Sequence, residues 1–317
     1  MRQALSPITT GIALCAWLCA HAQPAAAETR YVMPPDGDDL VGAIETVPAS
    51  AEETLLDVAR RHDLGQTEIV LANPDVDRWL PAESAPILLP SRYILPAAER
   101  RGVVLNLPEF RLYHFVPAQD GQPAMVETFP VSVGRMDWKT PLGTTEIIRK
   151  QEDPAWHPPA SIREEAAARG ESLPAYVPPG PDNPLGRHAL RLGIPGYLLH
   201  GTNKPWGVGM QVTHGCVRLY PEHIARLFGS VVVGTPVQIV DQPLKAGWWS
   251  GELYLEVHPP LGDAPTPDAV LMERALDAVE AAVAGRDIRI SGRALRDAVR
   301  RRAGYPVQIS RTDSAGA

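Results

Sequence analysis

The sequence predicts a mainly β protein. A β-sandwich or barrel-like domain is expected over residues 101–241, with a small α+β unit before it over 44–91 and a partly helical extension after it over 242–317. Three observations predict this. Short runs of branched and aromatic residues recur between turn residues from Gly102 to Val240, the pattern of a sandwich or barrel. Proline occurs 33 times in 317 residues, roughly double its average usage, and so much proline disfavours long helices. Hydrophobic residues make up 44% and charged residues 21%, which suits packed cores and excludes global disorder. A net charge of −7 argues against a nucleic-acid partner held by a basic surface.

Residues 1–27 stand apart. Arg2 precedes an uncharged apolar run from Ile8 to Cys19, and small residues follow at Ala20-His21-Ala22 and Ala25-Ala26-Ala27. A basic start, a short apolar run and a small-residue cleavage site mark a secretory signal peptide, cut after Ala22 or Ala27. The run falls short of the roughly 20 apolar residues a membrane span needs, and no later stretch reaches that length. There is no twin-arginine pair, and Leu18 before Cys19 is not the small residue of a lipoprotein box. Cys15 and Cys19 leave with the signal, so Cys216 alone remains and no internal disulfide is expected. A lone thiol in an oxidising compartment is either a small buried hydrophobe or a working group.

Residues 29–45 are polar and punctuated by proline and glycine. Within 44–91, Glu45-Thr46-Val47 reads as a short strand. A helix is expected from Glu52 to Arg61, because Leu55, Val58 and Ala59 recur at helical spacing and Glu52 and Glu53 sit where acids favour the dipole. Thr67 is placed to cap a second helix through Leu71, ended by Asn73-Pro74. Ile87-Leu88-Leu89-Pro90 closes the unit as a strand. Through Thr54-Leu55, Ala59-Arg60-Arg61, Ala72-Asn73-Pro74 and this last run, the unit resembles a LysM module. That resemblance implies binding to glycan strands containing N-acetylglucosamine. The alternative is a packing unit with no ligand.

Strand-like runs follow at 103–107, 111–115, 127–134, 144–148, 189–192, 197–200 and 236–240. One helix is expected from Pro221 to Phe228, with Ile224, Leu227 and Phe228 on one face and proline in the first turn. Residues 151–186 interrupt the rhythm with many prolines, Trp156 and a helical segment from Ile162 to Arg169. A long insertion in a β domain commonly serves as a lid. Beyond 241, Glu252 to Val257 alternates as a strand, and 268–302 reads as two helices. The first carries Leu271, Ala275, Ala278 and Ala282 on one face. The second is arginine-rich and solvated.

The residues that carry chemistry lie between His200-Gly201 and Thr213-His214-Gly215-Cys216-Val217-Arg218. A thiol is a poor nucleophile at neutral pH until a base takes its proton. His214 lies two residues away in the same turn, whereas His200 ends a neighbouring strand and can project across to Cys216. Gly215 allows close backbone approach, so its N–H and that of Cys216 can form an oxyanion hole. Arg218 can hold a carboxylate or buttress the loop.

These residues resemble the L,D-transpeptidase family with its YkuD-type catalytic domain, whose pattern is a histidine, a gap, then Ser/Thr-His-Gly-Cys and an Arg or Asn two residues on. Gly207-x-Gly209, Thr140-Pro141-Leu142-Gly143 and the run from Gly180 to Gly186 also fit. The resemblance implies Cys216 as nucleophile and His200 as proton acceptor and donor, with the Gly201 carbonyl orienting the His200 ring. It implies Thr213, His214 and Arg218 as shapers of the substrate site. The implied reaction breaks the bond between diaminopimelate and D-alanine in a tetrapeptide stem and passes the acyl group to an amine. The amine belongs to a second stem, giving a 3→3 cross-link, or to the lysine of an envelope lipoprotein. The implied setting is the periplasm and cell envelope, with peptidoglycan stems and glycan strands as partners, no cofactor and no metal, and carbapenems as thiol-directed inhibitors.

Other readings stay open at this point. The same cleft can hydrolyse the bond as an L,D-carboxypeptidase, or the chain can be a wall-binding protein without catalysis. His200, His214, Cys216 and His223 can be drawn as a zinc site, but they lack the close ligand pairs of structural zinc. Trp138, Trp156 and Trp206 can line a groove or pack. His62, His114, His157, His188 and His258 have no partner legible in the sequence.

Overall fold

The computed structural model describes residues 29–262 and 264–311. The expected signal peptide at 1–27, with Cys15 and Cys19, lies outside the described residues. Among the described residues, no helix is long and apolar enough to cross a membrane.

The chain begins with β1 (Arg30–Val32), β2 (Leu40–Gly42) and β3 (Glu45–Pro48), then α1 (Leu55–Arg61), α2 (Gln66–Ala72), β4 (Pro86–Leu89) and β5 (Arg92–Ile94). β3 and β4 pair antiparallel, and both helices pack on them through Leu55, Val58, Ile69, Ile87 and Leu89. Helix α1 starts later than expected, because Thr54 caps it. The Thr54 hydroxyl accepts from the Asp57 N–H at 3.2 Å, and the Asp57 carboxylate accepts from the Thr54 N–H at 2.9 Å. This reciprocal capping leaves Glu52 and Glu53 outside the helix. Thr67 does not cap α2, which is capped two residues earlier, by Gly65. The Gly65 N–H donates to Glu68 at 2.6 Å. Asn73 ends α2 and bonds both the Ile69 carbonyl and the backbone of Leu88, which pins the helix to β4.

The central domain contains β6 (Gly102–Asn106), β7 (Arg111–Val116), β8 (Met125–Gly134), β9 (Gly143–Glu152), α3 (Ala160–Ala168), β10 (His188–Leu192), β11 (Leu198–His200), β12 (Gln211–Thr213), β13 (Val217–Leu219), α4 (Pro221–Ser230) and β14 (Pro236–Val240). The strand path runs β8-β13-β11-β10-β9-β14-β6-β7, and β7 pairs back to β8. The sheet therefore closes into a barrel, with β1 and β12 added along β8. Its core holds Leu105, Leu112, Phe129, Leu190, Leu199, Val217 and Val237, and α4 contributes Ile224 and Leu227.

The extension is a third α+β unit rather than a helical tail. Strands β15 (Leu244–Trp249), β16 (Glu252–Val257) and β17 (Val307–Gln308) form a sheet covered by α5 (Asp268–Val283) and α6 (Gly292–Arg301). The buried face of α5 is Leu271, Ala275 and Val279, with Ala278 and Ala282 at its margin. Trp248 is buried, and its indole N–H donates to the Ala282 carbonyl at 2.9 Å. Lys245, fully buried, joins this unit to the barrel by lying 2.9 Å from Glu109 and 2.8 Å from Glu256.

Candidate active site

Strands β11 and β13 are parallel neighbours, with Leu199 opposite Val217 and His200 opposite Arg218. Side chains alternate across a strand. Leu199, Val217 and Leu219 therefore enter the barrel core, while Leu198, His200 and Arg218 face outward. Cys216, one residue before β13, shares their side. Together they line a cavity of about 430 Å³ whose far wall is the 151–186 insertion, through Trp156, Pro159 and Ile162. Thr213 and His214 also line it. The structure thus gathers Cys216, His200, Thr213, His214 and Arg218 around one cleft.

The turn between β12 and β13 is fixed from two sides. The Thr213 hydroxyl donates to the Cys216 carbonyl at 2.5 Å. The Thr140 hydroxyl donates to the Gly215 carbonyl at 2.8 Å and accepts from the Gly134 N–H at 3.0 Å. Gly215 has φ +95°, and a Cβ there would lie 2.7 Å from the Tyr197 ring. Only glycine meets both conditions.

His200 is buried, and its Nδ1 lies 2.6 Å from the Gly201 carbonyl oxygen. A carbonyl only accepts, so Nδ1 carries the proton there and Nε2 keeps its lone pair in the neutral ring. Burial, and then the Arg218 charge, lower the His200 pKa to about 4. Burial also pushes the Cys216 thiol up, against the smaller pulls of the Leu198 backbone and Arg218. The resting cleft therefore holds an uncharged thiol, its Sγ 3.6 Å from the Gly196 carbonyl, and an uncharged imidazole on the same wall. Burial lowers the Arg218 pKa too, and its buried Nε has no hydrogen-bond partner. This leaves a cation with a donor unused. The cleft thus brings a thiol, a base with a free Nε2 and an unpaired cation to one cavity.

His214 turns to the insertion. Its Nε2 lies 2.8 Å from Glu165 on α3, which also lies 3.1 Å from Arg135 and 2.7 Å from Arg169. Arg135 foremost, then His214, hold the Glu165 carboxyl down to about 2. The Trp138 ring stands edge-on to His214 at 5.4 Å. Trp156 lines the cleft, whereas Trp206 is exposed and does not line it.

His223 is elsewhere. Its Nε2 lies 2.5 Å from Asp63 under the small N-terminal unit, with Phe129 and Tyr220 around its ring. The four ligands drawn as a zinc site therefore do not converge. Among the described residues, a gathering of ligand-type side chains occurs at Glu109, Glu256 and His258, and the Lys245 ammonium already sits between the two carboxylates. Several other histidines gain partners invisible in the sequence: His114 with Glu127 at 3.0 Å, His258 with Glu256 at 2.6 Å, and the His157 and His188 rings against Tyr176 and Phe228.

Sequence reasoning gave no part in the site to Glu165, Arg191 or Tyr197, and named Thr140 only within the Thr140-Pro141-Leu142-Gly143 run. The outward position of Arg191 was readable from alternation in Ala189-Leu190-Arg191-Leu192. Its nearness to Cys216 was not, because that needs the register of three strands.

Residues 100–239 match the YkuD family, described as the L,D-transpeptidase catalytic domain. The chain belongs to the YkuD-type L,D-transpeptidase family. It is 38% identical over 309 residues to the Escherichia coli (strain K12) protein named probable L,D-transpeptidase ErfK/SrfK, covering 94% of this chain and 96% of that protein. It is 40% identical over 240 residues to the probable L,D-transpeptidase YbiS of the same organism, covering 74% of this chain and 77% of that protein. Among solved structures, the catalytic domain from an E. faecium L,D-transpeptidase aligns with 46% of this chain and 100% of its own at 20% identity and a TM-score of 0.34.

Proposed function

We propose that this chain is a peptidoglycan L,D-transpeptidase acting through Cys216. His200 Nε2 takes the thiol proton as sulfur attacks the diaminopimelate carbonyl of a tetrapeptide stem. The N–H groups of Gly215 and Cys216 receive the developing oxyanion. The carbon–nitrogen bond then breaks, and His200 returns the proton to the departing D-alanine amine. An acceptor amine attacks the thioester, gives up a proton through His200, and restores the thiol. Gly201 orients His200, Thr213 and His214 hold the loop, and Arg218 offers its unused donor to a substrate carboxylate.

The observation that carries this reading is the shared cleft of His200, Cys216 and Arg218 on adjacent strands, with His200 Nδ1 committed to a carbonyl. The domain reading accompanies it: an exported chain whose signal is 1–27, a LysM-like unit at 44–91 that follows the glycan strand, a catalytic domain at 101–241 and an accessory extension at 242–317. The setting is the periplasmic face of the envelope. The acceptor is the diaminopimelate amine of a second stem in preference to a lipoprotein lysine. Glu165, the insertion carboxylate at the cleft, is already held by Arg135, Arg169 and His214, so it does not recruit a lysine.

The test is incubation with disaccharide-tetrapeptide and mass spectrometry. A 3→3 dimer with release of D-alanine is expected, and Cys216→Ala abolishes both. Tripeptide alone would make the protein a carboxypeptidase, and unchanged substrate would remove the enzymatic reading.

A further inference from the structure

The outer face of the sheet carries two arginines that the reaction scheme leaves unused. In β10, Arg191 lies opposite Leu198 of β11 on one side and opposite Arg149 of β9 on the other. Residues directly opposite share a face, so Arg149, Arg191, Leu198 and the Cys216 position form one row across four strands. Adjacent strands are about 4.8 Å apart. The row therefore places the Arg191 backbone roughly 10 Å from that of Cys216, with Arg149 one strand beyond. Arg191 lines the cavity that holds Cys216, His200 and Arg218.

Both arginines are exposed, and among the described residues neither has a hydrogen-bond or ion-pair partner. Like charges directly opposite in an antiparallel pair destabilise it. Three other arginines near the cleft are paired: Arg135 and Arg169 share Glu165, and Arg187 lies 3.3 Å from Asp153. The uncompensated pair occurs in the row that leads to the thiol.

We propose that Arg191, supported by Arg149, is a carboxylate-binding subsite for the donor stem, an inference that rests on the transpeptidase reading. An extended guanidinium spans several ångströms, so the Arg191 fork reaches within about 6–8 Å of the reacting carbonyl. Two free carboxylates of the stem lie seven and six bonds from that carbonyl, a reach of roughly 7–9 Å when extended. One is the α-carboxylate of the γ-linked D-glutamate, and the other is the side-chain carboxylate of diaminopimelate. Either can take a bidentate bond from Arg191. Arg149 raises the local potential and makes the site selective for a charged stem over one amidated at that position.

The experiment compares the mature protein with its Arg191→Gln and Arg149→Gln variants on three disaccharide-tetrapeptides. One has both carboxylates free, one is amidated on D-glutamate, and one is amidated on the diaminopimelate side chain. Wild type is expected to lose 10–100-fold in kcat/KM on one amidated stem, mainly through KM, as fits the loss of one charge-assisted bond. Arg191→Gln should lose a similar factor on the fully charged stem and nothing further on that amidated one. Which amide removes the effect of Arg191 names the carboxylate. Arg149→Gln should give a smaller loss that fades as salt rises. Alkylation of Cys216 by iodoacetamide at an unchanged rate checks that the Arg191→Gln cleft is intact. Equal losses for Arg191→Gln on all three stems, or no loss on any, would overturn the subsite while wild-type turnover keeps the transpeptidase reading. Absence of wild-type turnover on every stem would sink that reading and the subsite with it.

Discussion

Replacing His200 with alanine tests the central claim, that the resting pair is a neutral thiol and a neutral imidazole. An unperturbed cysteine ionises near pH 8.5, so less than about 3% is thiolate at pH 7, and burial raises Cys216 further. His200 is lowered to about 4, chiefly by burial. Its base form therefore persists from neutral pH down to about 4 and is lost only as pH falls through that value. The reactive step must then include proton transfer to His200. General-base help of this kind is worth about 10²–10⁴-fold, or roughly 3–5.5 kcal/mol of barrier. The assay is the rate of covalent acylation by a carbapenem, followed by intact mass, for wild type, His200→Ala, His214→Ala and Cys216→Ala between pH 4 and 10. Wild type should add one equivalent at Cys216, with a rate that holds from neutral pH to near pH 5 and declines below it. His200→Ala should be slower by the stated factor at pH 7 and recover towards pH 10 as hydroxide ionises the thiol. A parallel iodoacetamide titration should place the wild-type thiol midpoint above that of free cysteine. A midpoint below 7 would mean a preformed thiolate–imidazolium pair and would refute the argument. A severe His214→Ala defect beside a mild His200→Ala defect would reverse the two histidines.

Two further outcomes follow from the contacts around the cleft. Glu165→Gln removes the carboxylate shared by His214, Arg135 and Arg169. It should raise protease cleavage within 155–186 and lower transpeptidation, with iodoacetamide reactivity of Cys216 unchanged; equal protease resistance in the variant would show that Glu165 does not hold the insertion. Gly209→Ala adds a Cβ 2.5 Å from Gly65 Cα at a residue with φ +90°, so it should lower unfolding stability by about 1–3 kcal/mol or more. A denaturation midpoint equal to wild type would mean that the two glycines do not meet in solution.

The sequence made the chemistry legible before the architecture. Cys216, its glycine and the upstream His200 stand out because a thiol nucleophile needs a base and a close-packed turn, and few arrangements supply both. Alternation exposed the barrel strands, but barrel closure rests on β14 meeting β6 and β9 and on β13 meeting β8, pairings between residues far apart in the chain. Strands β12 and β13 are three residues each and look like parts of a turn. Strand β15 was missed because Lys245 and Gly247 interrupt its apolar pattern, yet Lys245 is buried between two carboxylates. Helix starts moved for a local reason: Thr54 with Asp57 outcompetes Glu52 and Glu53 as the start of α1. The roles of Glu165 and Arg191 depend on which elements face each other, and no local pattern carries that.

The docking of the small N-terminal unit changes how its proposed glycan-following role must work. A module on a flexible linker raises the effective concentration of nearby substrate without directing it. Here the unit is keyed into the barrel. Arg111 of β7 and Glu68 of α2 pair at 2.8 Å with almost no exposure, and removing either partner would strand a buried charge. Gly65 and Gly209 meet backbone to backbone, and the N–H groups of Gln66 and Thr67 donate to the carbonyls of Val208 and Gly209 at 3.0 and 3.2 Å. Residues 207–209 lie in the segment between His200 and Cys216. The unit therefore braces the very loop that returns the chain from the base to the nucleophile. A glycan held by this unit would sit at a fixed offset from Cys216, so strand and stem would be presented to the cleft in one orientation. The link from packing to function would then be geometric: with a glycan on this unit, the docking that the buried pair fixes would set which stem along a strand can reach the thiol.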